Sequence, residues 1–161
     1  MTDFIFICVR DTILITILII ISIKDLREYL IPDKWVVIAI VNWFAWALVL
    51  GDGFDAIIMR MLAAVVIAGT LLVVVIFTDR IMGKESLGGG DIKLLFAITL
   101  YLGTWDSLYM MLIACIIGLV LAVIIKNRES GGNRYFPFGP AMSLATVIML
   151  AAGGFIDRLL G

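Results

Sequence analysis

A chain of 161 residues that is 63% hydrophobic and only 16% charged carries longer apolar runs than water-soluble domains use. Its formal net charge of −1 excludes the strongly basic balance of a nucleic-acid binder, so nucleic acid is not expected as a partner and membrane lipid is. The absence of histidine removes Ser-His and Cys-His nucleophiles, the HExxH zinc hydrolases and most histidine-ligated metals.

Polar punctuation divides the chain into six apolar segments, approximately Phe4–Ile23, Trp35–Leu50, Arg60–Phe77, Ile92–Leu102, Leu108–Ile125 and Pro140–Phe155. A bilayer core of about 30 Å needs roughly 20 helical residues per crossing, so the length suits about six crossings and leaves no room for a soluble domain. Each segment is predicted as helix, because an open strand leaves its backbone polar groups unpaired in lipid. The expected fold is therefore all-α, a single polytopic transmembrane domain over residues 1–161. The first segment has Asp3 and Asp11 near its start and no small-residue cleavage site, and is expected to be a retained helix rather than a signal peptide. The fourth is short and must borrow Gly103 to Trp105 or begin inside the membrane.

Cys8 and Cys115 lie in different apolar segments without CxxC spacing and are expected as buried thiols, with neither a disulfide nor a metal site. Trp35, Trp43, Trp46 and Trp105 lie near segment ends, where interfacial anchoring is the ordinary role. Arg10 and Asp11 are expected to form a local pair. Lys24, Arg27 and Lys34 follow the first segment, Arg80, Lys84 and Lys93 surround the third connection, and Lys126, Arg128 and Arg134 fill the fifth. The second and fourth connections carry no basic residue. The positive-inside rule then places connections 1, 3 and 5 in the cytoplasm and both termini on the other side.

Two acids stand out from this solvated background. Asp25 follows the first apolar run by one residue and is expected to project from the last helical turn toward the bundle, where an isolated carboxylate is costly. Asp91 follows Gly88-Gly89-Gly90 and heads the short fourth segment; it suits a helix N-cap as well as a chemical role. Both fall on the predicted cytoplasmic side. A neighbouring pair of carboxyls that shares a proton can protonate a scissile carbonyl with one acid and activate water with the other, using no metal, histidine or cofactor.

Asp25-Leu26-Arg27 leading to Ile31-Pro32-Asp33, Gly88-Gly89-Gly90-Asp91-Ile92-Lys93-Leu94, and Pro137-Phe138-Gly139-Pro140-Ala141 opening the last helix together resemble the type IV prepilin peptidase family, whose archaeal branch is the preflagellin peptidases. The resemblance spans nearly the whole chain. It implies an aspartic-type endopeptidase of the inner or plasma membrane with Asp25 and Asp91 as the catalytic pair and Gly88 and Gly90 as their flexible approach. It also implies removal of a short basic leader from a prepilin or pilin-like precursor of a type IV pilus system, after a glycine and at the cytoplasmic face. Lys93 is expected either to tune the acids or to mark the interface, and Asp33 and Glu85 are candidates for meeting the basic leader. The paired CxxC motifs of the large bifunctional members are absent, so the likeness is to the short peptidase-only members and methyl transfer is not expected. Presenilin-type proteases share Gly-x-Gly-Asp, but their first acid follows a tyrosine where Lys24 precedes Asp25.

Two other readings compete on residue types alone. A transporter or channel component using Asp25 and Asp91 as an ion or proton relay should scatter polar groups near helix midpoints, whereas these helices are almost wholly apolar. A serine-lysine protease built on Ser86 and Lys84 would have poor control of geometry from neighbouring loop positions. A scaffold has no reason to bring the two acids together.

Overall fold

A computed structural model describes residues 2–83, 88–126 and 137–160 of the chain. The described residues form six α-helices: α1 (Thr2–Glu28), α2 (Asp33–Leu50), α3 (Phe54–Met82), α4 (Gly89–Leu102), α5 (Thr104–Lys126) and α6 (Gly139–Leu160). Helices α1, α2, α3 and α5 are each long and apolar enough to cross a bilayer. The all-α membrane fold expected from the sequence is the fold found.

Several boundaries move. Helix α3 starts at Phe54 rather than Arg60 and runs on to Met82, with Asp55 suited to its first turn and Arg80 to its last. Helix α5 starts at Thr104 rather than Leu108. The short α4 does not borrow Gly103 to Trp105; Gly103, at φ +80°, ends it, and it gains residues 89–91 at its start instead. Its 14 residues rise about 21 Å, less than the bilayer core.

Helix α4 is the hub. It packs on α2, α3, α5 and α6, while α1 packs on α2 and α6. The interior face of α1 is Leu14, Ile17, Leu18 and Ile21, spaced i, i+3, i+4, i+7, and Asp25 continues that stripe one turn further. The inward aim of Asp25 is thus fixed by helical periodicity. Opposite it, Ala141 and Ala145 on α6 are fully buried, small side chains of the kind that let helices approach closely in lipid.

Two groups of residues lie where the sequence did not put them. Cys8 and Cys115 are exposed on the perimeter of the bundle, since an apolar thiol loses nothing by facing acyl chains. Trp43 is no interfacial anchor: it is 1% exposed and belongs to the core, set edge-on against Phe44. Trp105, 73% exposed at the start of α5, keeps the expected position. Trp46 is half-buried and donates its indole N–H to Asn42 Oδ1 at 3.1 Å.

Candidate active site

Helix α1 ends abruptly. The Tyr29 amide closes the last turn onto the Asp25 carbonyl at 3.0 Å, and Tyr29 itself sits at φ +52°, a left-handed conformation uncommon for a non-glycine residue. This reversal sends Leu30, Ile31 and Pro32 back across the end of the bundle before Asp33 opens α2. Ile31, buried in the core, lands between the starts of α4 and α6.

That position is set by two glycines. A Cβ on Gly90 would stand 2.9 Å from Ile31 Cβ, and one on Gly139 would stand 3.4 Å from Ile31 Cδ1. Gly139 is tighter still against the first acid, with a Cβ there falling 2.7 Å from Asp25 Oδ2 and 3.2 Å from its Cγ. Its backbone N–H donates to the same Oδ2 at 3.0 Å, a buried charge-assisted bond from the first turn of α6.

Asp91 occupies the third position of α4, not its N-cap; the cap is Gly88, with no side-chain capping bond. From there its carboxyl accepts a hydrogen bond from the Gly88 amide, while Oδ1 is buried without a partner among the described residues. Gly88 has ordinary extended angles and Gly90 is helical, so their service in this conformation is room rather than unusual turning. Both acids are buried, Asp25 to 5% and Asp91 to 7% exposure, and Asp91 feels the Asp25 charge.

Asp25 and Asp91 line one cavity of about 610 Å³ together with Tyr29, Ile31, Asp33 and Lys93. Lys93 does not reach the acids. Its ammonium donates to both carboxylate oxygens of Asp33 at 2.8 Å, and the two side chains, each more than half exposed, form the rim. Glu85, Lys84 and Ser86 lie outside the described residues. No group of metal-ligating side chains occurs among the described residues. Sequence reasoning missed two contributors. Gly139 was seen only as a motif residue and Ile31 only as the residue before Pro32. The signal available for both was their fixed neighbourhood to proline, which does not reveal a contact 114 residues away.

Comparison with known proteins follows the same stretch. Residues 12–123 match the type IV leader peptidase family. The chain is 27% identical over 146 residues to a Neisseria gonorrhoeae protein named prepilin leader peptidase/N-methyltransferase, covering 91% of this chain and 49% of that protein. Proteins of the same name from Pectobacterium carotovorum subsp. carotovorum and Aeromonas hydrophila are 29% and 30% identical, covering 89% and 88% of this chain and 51% and 49% of theirs. The chain thus spans about half the length of the curated relatives it matches. No solved structure is significantly similar. With the match running from α1 through the Gly-rich approach to Asp91 and into α5, the chain belongs to the type IV leader peptidase family.

Proposed function

We propose that the 161 residues act as one membrane-embedded aspartic endopeptidase unit that removes the leader from a prepilin or pilin-like precursor, with Asp25 and Asp91 as the catalytic pair. The observation that carries this reading is the convergence of two buried carboxyls, from helices 66 positions apart in the chain, on one cavity. Burial of a single unpaired carboxylate is expensive, and two together are retained where chemistry needs them.

In the mechanism this arrangement supports, one acid is protonated and its partner ionised. The carboxylate takes a proton from water as the water oxygen attacks the scissile carbonyl carbon, and the protonated acid delivers its proton to the carbonyl oxygen. As the tetrahedral diol collapses, one of its hydroxyls returns a proton to the acid that had protonated the carbonyl, the C–N bond breaks, and the proton gained from water passes to the departing amine. Gly139 holds Asp25 through its amide, and Ile31 spaces the starts of α4 and α6; we take both as positioning residues.

Lys24, Arg27, Lys34, Arg80 and Lys93 stand at the dyad end of the bundle, which by the positive-inside rule is the cytoplasmic face. Asp33 and Lys93 at the rim then confront the incoming leader, with Asp33 offering the negative charge and Lys93 sharing it. Co-expression of a prepilin-type precursor with wild type, Asp25→Ala and Asp91→Ala, read as a gel shift, tests the reading. Cleavage is expected only with wild type. Retained cleavage by either variant at normal membrane levels removes that acid from the mechanism.

A further inference from the structure

Helices α2 and α3 end in the same left-handed turn, and each meets it with a glycine, Gly51 at φ +70° and Gly83 at φ +63°. A Cβ at either position would meet no atom within 4 Å, so glycine serves there for its backbone freedom and not for want of room. Helix α1 also ends with positive φ, at +52°, yet the residue is Tyr29, the only non-glycine residue of that kind among the described residues. A tyrosine in the left-handed region is strained, and strained backbone of this kind clusters at working sites, where a side chain is held in one place for a purpose.

Packing does not explain the choice of residue. Tyr29 is 52% exposed and lies outside the core, and its one hydrogen bond among the described residues is the backbone bond to the Asp25 carbonyl, which a glycine would make equally well. The residue instead lines the dyad cavity. Gly88, Gly89 and Gly90 give that cavity no side chain, Asp25, Asp91, Asp33 and Lys93 give it charged or ionisable groups, and Ile31 is buried as the spacer between helices. Tyr29 and its neighbour Leu30, 62% exposed, therefore supply the exposed uncharged side chains of the cavity.

We propose that Tyr29 is a substrate-binding residue of the peptidase site, its ring lying against the polypeptide beside the cleaved bond and holding that stretch in the cavity while the acids act. The inference rests on the peptidase reading and adds a binding contact to it. A tyrosine suits the task because it offers a large contact area with only two side-chain torsions to fix. An interfacial anchor among lipid headgroups would use the same residue type. It would have no need of the one strained helix end at the wall of the dyad cavity.

The test measures cleavage of a prepilin-type precursor by the full chain, in detergent micelles and in proteoliposomes, together with thermal unfolding. Tyr29→Gly relieves the strain and keeps the backbone bond to the Asp25 carbonyl, so it should melt at or above the wild-type temperature. Its KM is nevertheless expected to rise roughly tenfold in both media, with a much smaller change in kcat. Tyr29→Phe, which keeps the ring, should recover most of that loss, whereas Tyr29→Asn, which tolerates the left-handed turn without the ring, should not. A photo-reactive residue at position 29 in the Asp91→Asn background should cross-link to the uncleaved precursor beside its cleavage site, while one at Ile116, exposed on α5, should not. A wild-type KM for Tyr29→Gly, a loss confined to proteoliposomes as an anchor would give, or cross-links from position 29 to lipid alone overturns the proposal. If Tyr29→Gly fails to accumulate, Tyr29→Asn and the cross-links decide. Failure of wild type to cleave the precursor would sink the peptidase reading instead, a distinguishable result.

Discussion

The two ends of α4 are built on opposite rules. At its start, Asp91 is buried with one carboxyl oxygen unpartnered among the described residues and a second acid nearby. At its far end a network of polar groups is paired. The Tyr101 hydroxyl donates to the Ala39 carbonyl at 2.7 Å and accepts from Asn42 Nδ2 at 2.9 Å, and Arg10, itself paired to Asp11 at 2.8 Å, lies over the Tyr101 ring. Arg60 donates to the Leu100 and Tyr101 carbonyls at 3.2 and 3.0 Å, supplying the C-terminal partners that a helix end otherwise lacks. The lesson is that one end uses polar groups to anchor the hub helix, and the other leaves a buried acid short of partners among the described residues, as the proposed dyad chemistry requires.

The comparison is sharpened most by Gly139→Ala. The new methyl cannot coexist with the present Asp25 carboxylate, so the acid is displaced, and a misplacement of about 1 Å costs roughly 100-fold in cleavage rate. The variant should accumulate normally and bind precursor with unchanged KM; a wild-type kcat would break the positioning role. Ile31→Ala removes the spacer between Gly90 and Gly139 and is expected to cost about 2 kcal/mol of stability, with a cleavage loss that Ile31→Val largely restores. Thermal unfolding and cleavage measured on the same preparations separate the two effects.

At the other end the expected effects are on stability. Arg60→Ala orphans the carbonyls it now serves and should lower stability by about 1.5–3 kcal/mol, with cleavage retained below the new melting point. The smallest effect is expected from replacing Cys8 and Cys115 together with alanine. Both thiols are exposed at the perimeter, so the change should stay within about 0.5 kcal/mol and leave activity intact. A large loss would place one of them in an interface.

Much of this contrast was readable in the residues, though unevenly. Apolar run lengths gave six helices, and the buried stripe Leu14, Ile17, Leu18, Ile21 extends by its own period to Asp25. The Arg10–Asp11 pair was visible because its members are adjacent. Contacts across helices were not. Lys93 sits two residues from Asp91, yet helical geometry turns it away toward Asp33, 60 positions earlier. Trp43 reads from its place near a segment end as an interfacial anchor, and nothing in the local sequence gives Asn42 a partner. Only the packing of α4 makes one a core residue and the other a link in the Tyr101 network. Gly139 shows the same limit, since its value lies in a distance to Asp25 that local sequence does not encode.

The most direct test of the two-ended account compares Asp91→Asn with Tyr101→Phe in identical membranes, measuring precursor cleavage and thermal stability of each. Asp91→Asn, which keeps the side chain's shape while removing a buried acid, should reduce cleavage by about 100-fold or more and leave stability equal to or above wild type. Tyr101→Phe should lower stability by about 1–3 kcal/mol and keep cleavage. Wild-type cleavage by Asp91→Asn would contradict the account outright.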